Sequence, residues 1–451
     1  MMYLAFAGLV LLAAVGAFFL FRSDAIARKA LSLLERKRYA EAAAWLDRQP
    51  ADPAHPEYLW FKAMALDGMG RVREALAALR QIPLTATRTN RWYSSLDILS
   101  RLAEWSEKNG DHYEAVKYLV LLRDKGFDTA KVRFLLGRNF FGMKDYAKSL
   151  HYLREALAKD RRMIEARLLM GRIFYESKQY PAAADEFKIS AGRGARSPEA
   201  VVLLGFAYYR MDMFLPAAKA MKRVFPPPQA FRDEYAFCLG SALFHLGDFA
   251  GAWTNLERLT TAETSAGIPY KEVYYRLAVS AERIGKFREA VEYWEFLSSR
   301  DPKYLDTDYR RKLSMAYGRS DAFKVFLFAP MKRFKPFAGL LLREAGFRTV
   351  KMESSGDLML DVVAERPGSE GEVEKAFFRF ARTADPVDRK VVQICQMRMR
   401  DEQCRQTFVY SAGPLLQDGE REAAAWPITV KGFPEIVKEA EKIFPEFKKF
   451  G

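Results

Sequence analysis

One short string recurs in this chain at a fixed distance, and that distance leaves few folds open. Leu-Leu-Gly occupies 135–137, Leu-Met-Gly 169–171 and Leu-Leu-Gly 203–205, a spacing of 34 residues. An aromatic follows three residues after each glycine, at Phe140, Phe174 and Tyr208, and a small residue twelve after it, at Ser149, Ala183 and Ala217. The frame continues through Gly240 with Ala252 and Ala278 with Ala290, and upstream through Ala63 with Ala75 and Ala103 with Ala115. A period of this length holds two helices and two turns. The small residues fall where the two helices cross most closely, since a larger side chain there would push them apart. The aromatic fills the space beside the crossing. Gly70, Gly110, Gly247 and Gly285 stand at the turns between helices, where a left-handed backbone suits glycine. A repeat of this kind cannot bury its apolar face alone, so successive pairs must stack.

These residues resemble the tetratricopeptide repeat (TPR) family, and Asp301-Pro302 closes one repeat with the proline that family places there. The resemblance implies a mainly α fold, an α-solenoid of about seven or eight repeats over residues 23–325, with degenerate terminal repeats. Residues 81–95 and Pro226-Pro227-Pro228 interrupt the register. Stacked helix pairs present a long groove for a protein or peptide ligand. Arg133, Arg138, Arg167, Arg172 and Arg210 stand near first-helix positions that line such a groove. They suit an acidic ligand if they face it, and a solvated basic surface if they do not.

The net charge of +15 lies almost wholly in this region. Residues 331–451 hold 21 Lys+Arg against 19 Asp+Glu, so 72−21 = 51 and 57−19 = 38 remain for the first 330, a net of +13. The three cysteines cannot build a disulfide framework, and free buried thiols are expected. The four histidines are scattered, and no Cys/His cluster has metal-ligand spacing. No metal or other cofactor is expected.

Ahead of the repeats, Met2 to Phe21 is uncharged and almost wholly apolar. As a helix it would span about 30 Å, the thickness of a hydrocarbon core. No basic stretch precedes it, and cleavage at Val15-Gly16-Ala17 would cut the apolar run itself, so residues 1–22 read as an uncleaved transmembrane anchor. Arg22, Arg28, Lys29, Arg36, Lys37 and Arg38 follow it, which predicts a single-pass protein of the cell inner membrane with its bulk in the cytoplasm.

After residue 330 the 34-residue period stops. The pattern predicts a helix over 337–346, strands over 348–352, 358–364 and 375–382, and a helix starting at Asp385-Pro386. A strand at 407–410, a helix at 414–425, a strand at 427–430 and a helix from 434 to 450 follow. This order, with Leu-Arg-Glu-Ala-Gly-Phe at 342–347 and Gly-Asp-Leu-Met-Leu-Asp-Val-Val-Ala at 356–364, resembles the Mrr-type restriction-endonuclease-like domain. Thr-Phe-Val-Tyr-Ser-Ala-Gly at 407–413 and Trp-Pro-Ile-Thr-Val-Lys-Gly at 426–432 add to the resemblance, which places a small α/β domain at 331–451 and Asp361 at the metal-binding aspartate position. Phosphodiester hydrolysis in that family needs a second acidic or amide ligand, then any residue, then lysine, on the next strand. Here the strand reads Ala376-Phe377-Phe378-Arg379-Phe380-Ala381-Arg382, with no acid or amide. Asp388-Arg389-Lys390 has the Asp-x-Lys spelling but falls in the first turn of the following helix. The expected site is therefore degenerate, with Asp361, Asp388 and Lys390 as its remnants and no residue assigned as catalytic. A membrane-anchored scaffold or adaptor in the cytoplasm follows from this reading. A nucleic-acid-binding or nuclease-related protein, and an exported envelope-assembly protein, are the alternatives.

Overall fold

The computed structural model describes residues 24–49, 55–84, 91–192, 197–260, 267–368 and 372–449. The chain divides into two compact units, Met1–Met211 and Asp212–Gly451.

The first unit is helical throughout its described length. Its helices are α1 (24–35), α2 (Tyr39–Asp47), α3 (Pro56–Gly68), α4 (Val72–Arg80), α5 (Ser95–Lys108), α6 (His112–Asp124), α7 (Ala130–Gly142), α8 (Tyr146–Lys159), α9 (Ile164–Glu176), α10 (Tyr180–Gly192) and α11 (Pro198–Arg210). They pair in sequence order, α7 with α8 and α9 with α10. Each pair turns on one residue with left-handed backbone. It is Gly70 or Gly110 where glycine was predicted, and Lys37, Lys144 or Lys178 elsewhere, at φ of 57°, 59° and 60°. In α6 and α8 an aspartate then caps the second helix. Asp111 and Asp145 accept hydrogen bonds from the backbone N–H groups of Glu114 and Lys148, each at 3.1 Å, satisfying donors that the first turn leaves unpaired.

The close crossing read from the repeat is present. Ser149 Oγ donates to the Gly137 carbonyl at 2.7 Å. A Cβ added at Gly137 would lie 2.8 Å from Leu153 Cγ, and one at Gly171 only 2.5 Å from the ring of the fully buried Phe187. Gly171→Val is therefore expected to destabilise the protein by about 2–3 kcal/mol through overpacking. Gly192→Ala, where the added Cβ meets nothing within 4 Å, should be neutral or slightly stabilising. Thermal denaturation of the two variants checks this.

The second unit begins with helices of the same kind: α12 (Phe214–Met221), α13 (Arg232–His245), α14 (Phe249–Leu256), α15 (Tyr270–Arg283), α16 (Phe287–Arg300), α17 (Thr307–Arg319) and α18 (Asp321–Phe328). Gly240 packs against Leu256 as Gly137 does against Leu153. Then come α19 (Met331–Glu344), β1 (Arg348–Ser355), β2 (Met359–Pro367), β3 (Val373–Ala381), α20 (Arg389–Asp401), β4 (Gln406–Ser411), α21 (Gln417–Ala424), β5 (Ile428–Lys431) and α22 (Phe433–Phe447).

The five strands lie in sequence order, β1-β2-β3 antiparallel and β3-β4-β5 parallel. Helices cover both faces. Leu360, Val362, Phe378, Phe380 and Tyr410 meet α18, α19 and α22 on one side. Val363, Phe377 and Val409 meet α20 and α21 on the other. A continuous core joins Tyr317, Phe323 and Phe326 to Phe334, Phe337 and Phe447. The last helix pair, α17 and α18, is thus packed with the sheet rather than separated from it at residue 330.

Three predicted helix starts move, that of the helix predicted at 414–425 to Gln417. The first helix of the α/β domain begins at Met331, not 337, and runs through Pro336, because Phe334 and Phe337 are both fully buried. The helix predicted from Asp385-Pro386 begins three residues later. Thr383 and Asp385 hydrogen-bond each other in a local turn, and Val387 bridges to Leu415.

The predicted anchor at residues 2–21 lies outside the described residues. No helix among the described residues is long and apolar enough to cross a membrane, and the placement as a single-pass inner-membrane protein is corrected on that finding. All three cysteines, Cys238, Cys395 and Cys404, are free and buried.

Candidate functional site

Asp361 sits in the middle of β2, opposite Arg379 of β3 in the antiparallel register. Directly opposed residues project from the same face of a sheet, here the face covered by α20. Arg379 Nε donates to Asp361 Oδ1 at 2.8 Å and its Nη2 to Oδ2 at 2.6 Å. The two-pronged pairing engages both carboxylate oxygens. Both side chains are largely buried, 14% exposed for Asp361 and 10% for Arg379. Burial alone would lower the guanidinium pKa; the Asp361 carboxylate outweighs it, and the pKa is raised. The Cys395 thiol of α20 touches the same guanidinium and, through its burial, is pushed up to about 11.

This geometry decides how the domain compares with a metal-dependent nuclease site. On β3 the residue that shares the face with Arg379, two positions earlier, is Phe377, fully buried in the α20 core. The pattern of acid, any residue, lysine is thus replaced by Phe377-Phe378-Arg379. A fixed guanidinium covers both Asp361 oxygens, and a phenyl ring stands where the second ligand belongs. The residues do not fit a divalent cation. No group of three or more His, Cys, Asp or Glu among the described residues is arranged to hold a metal ion.

The other two remnants lie at the start of α20. Asp388 is its N-cap, accepting from the Val391 N–H at 3.0 Å, and it packs against Gly419 of α21. Lys390 is exposed. Asp388 therefore supplies helix-start polarity.

In the first unit the five arginines divide by environment. Arg133 is held on three sides, by Asp128 at 2.6 and 2.9 Å and by Glu155 at 2.6 Å. Its proximity holds the Asp128 carboxyl well below the usual range. Arg167 reaches Glu186 of α10 at 3.2 Å. These two tie first helices to second helices. Arg138, Arg172 and Arg210 instead link successive first helices. Arg138 pairs with Glu107 of α5, Arg172 lies over Phe141 of α7 and 3.9 Å from Glu199 of α11, and Arg210 donates to the Tyr175 hydroxyl of α9 at 3.3 Å. Their side chains are the more exposed, 42% for Arg138 and 44% for Arg172 against 16% for Arg133 and 18% for Arg167.

A buried polar cluster in the second unit has no counterpart in the sequence reading. Glu282 of α15, 7% exposed, accepts from Trp294 Nε1 of α16 and from the Tyr317 hydroxyl of α17, both at 2.8 Å. Arg310 lies 3.8 Å from its other oxygen and is itself bonded to Asp306 at 2.7 Å.

The tetratricopeptide-repeat family matches residues 134–199, and a restriction endonuclease family matches residues 329–438. No curated protein matches the chain. Among solved structures, the C-terminal part of a TPR repeat-containing protein from Cytophaga hutchinsonii is 16% identical, covering 54% of this chain and 96% of its own, with a TM-score of 0.41. A tetratricopeptide repeat protein from Parabacteroides merdae is 14% identical over 57% of this chain and 98% of its own, with a TM-score of 0.41. YrrB, described as a TPR protein with an unusual peptide-binding site, is 17% identical over 43% of this chain and 96% of its own, with a TM-score of 0.36. The chain is a tetratricopeptide-repeat protein with a restriction-endonuclease-like C-terminal domain.

Proposed function

We propose that this protein is a protein-interaction scaffold whose C-terminal domain keeps a nuclease-like fold without its metal chemistry. The observation that carries the second half is the two-pronged Arg379–Asp361 pair, with Phe377 in the second ligand's place. A buried cation already neutralises the one acid that a divalent ion would need. Titration with Mn²⁺, followed by the electron paramagnetic resonance of the free ion, should show no site on the wild-type chain that Asp361→Asn removes. The double variant Phe377→Glu/Arg379→Lys rebuilds the acid and the lysine and should gain such a site. Mn²⁺ bound by the wild type and lost in Asp361→Asn would overturn the reading, and so would metal-dependent cutting of plasmid DNA.

The first half rests on the repeats. Arg138, Arg172 and Arg210 link successive first helices and are proposed to face an acidic protein or peptide segment. Reversing Arg138 and Arg172 to glutamate should weaken binding of acidic peptides from an immobilised library by tenfold or more, and raised salt should weaken it in the wild type. Arg348→Glu in the C-terminal domain is the control. Equal binding by all three proteins would remove these arginines from the ligand face.

A further inference from the structure

Within the second unit a cavity of about 500 Å³ opens between the α15–α16 turn, the end of α18 and the Asp357–Leu358 approach to β2. Its charged lining is Arg283, Lys324, Arg333 and Arg382 against Glu282 and Asp357, four positive groups and two negative, with Lys324 already paired to Asp321 at 3.0 Å. The two acids differ in availability. Glu282 is already turned to Trp294, Tyr317 and Arg310. Asp357 is exposed.

Arg382 is the unusual member. It is 3% exposed and follows β3 on the face opposite Arg379, so it has no part in the Asp361 pair. Its guanidinium donates to three main-chain carbonyls, those of Phe326 at 2.5 Å, Asp357 at 2.7 Å and Ala329. No carboxylate among the described residues forms an ion pair with it. Carbonyls offer partial charge only, and the Asp357 carboxylate acts on the guanidinium without pairing with it, so the buried cation is incompletely neutralised, a costly arrangement. Burial accordingly pulls its pKa down to about 10. Arg283 and Arg333 are exposed and lie over rings, Phe249 at 5.8 Å and Phe447 at 5.7 Å, with no ion pair to a carboxylate among the described residues. Phe287, Phe328 and Leu358 supply apolar wall.

We propose that this cavity binds a small molecule carrying a phosphate monoester on an apolar or aromatic body. A phosphate monoester carries about −1.5 to −2 charge at neutral pH, opposite in sign to Arg283, Arg333 and Arg382 of the lining, and arginine forks suit its oxygens. The volume lies in the range of small-ligand sites, roughly 300–1,000 Å³. The bound phosphate supplies the directly paired anion that Arg382 lacks. It strengthens the point where Arg382 already ties the end of α18 and the approach to β2 to the end of β3 through carbonyls.

The test is calorimetric titration of the full chain with adenosine monophosphate, adenosine and inorganic phosphate as probes. The nucleotide should bind, adenosine at least tenfold more weakly, and inorganic phosphate more weakly than the nucleotide for want of the apolar contacts. Arg333→Ala, an exposed position that should not disturb folding, should weaken the nucleotide tenfold or more. Arg343→Ala, exposed and paired with Glu446 away from the cavity, should not. Adenosine binding as well as its phosphate, inorganic phosphate matching the nucleotide, an unaffected Arg333→Ala variant, or no binding of any probe at millimolar concentration would each overturn the proposal.

Discussion

Replacing Arg379 by alanine is expected to destabilise the C-terminal sheet by about 3–5 kcal/mol, the usual loss when one partner of a buried ion pair is removed. The reason is what remains. Asp361 would keep its carboxylate on a face where Val363, Phe377 and Val409 pack under α20, without the two bonds at 2.6 and 2.8 Å. The Cys395 thiol would lose its neighbour as well. The double replacement Asp361→Leu/Arg379→Met should cost far less, or even stabilise, because it removes both charges and their desolvation together. Hydrogen exchange of the β2 and β3 amides reads the effect locally. The single variant should lose protection along both strands and the double variant should regain it. A single variant as protected as the wild type would mean that the pair contributes nothing to the fold.

The helical repeats were legible because their constraint is steric and local. Gly137 must be small for Leu153 to approach, and that requirement repeats at 171 and 240 with the packing. The α/β order was legible for a related reason, since buried strands read as apolar runs and caps as Asp or Gly. The helix starts at 331 and 389 were not, because each depends on tertiary partners: the buried Phe334 for one, the Val387–Leu415 bridge for the other. Position 379 shows both sides. An arginine amid Phe377, Phe378 and Phe380 is out of place in a core strand, and that signal stood in the sequence beside Asp361. Its meaning required the register that sets residue 361 opposite 379. Arg133 and Arg138 are separated by only five residues of one helix. Which faces a second helix and which a neighbouring first helix is fixed by stacking, which spacing alone does not give.

Glu282→Ala is expected to cost a similar amount, about 3–5 kcal/mol, in the last repeats. The substitution orphans two groups at once, Trp294 Nε1 and the Tyr317 hydroxyl, in a core where both residues are fully buried, and it leaves Arg310 with Asp306 alone of its two carboxylates. Tyr317→Phe removes one donor and leaves the carboxylate its Trp294 bond and Arg310, so about 1 kcal/mol is expected. The carboxylate also gives the region a pH dependence whose sign is fixed by burial. Burial pushes the Glu282 carboxyl up, and the opposing pull of Arg310, the two hydrogen bonds and Arg283 does not reverse it. A folded-state pKa above the unfolded value means the folded state holds the proton more tightly. The stability this contributes is complete below the ordinary glutamate range and is lost as pH rises through the folded-state value. Glu282→Gln cannot titrate and keeps an oxygen for Trp294 and Tyr317. Its stability relative to wild type should therefore climb as pH is raised above the ordinary glutamate value. Urea denaturation of both proteins across that interval measures the difference, and a difference that falls with rising pH would show that Arg310, not burial, governs this carboxylate.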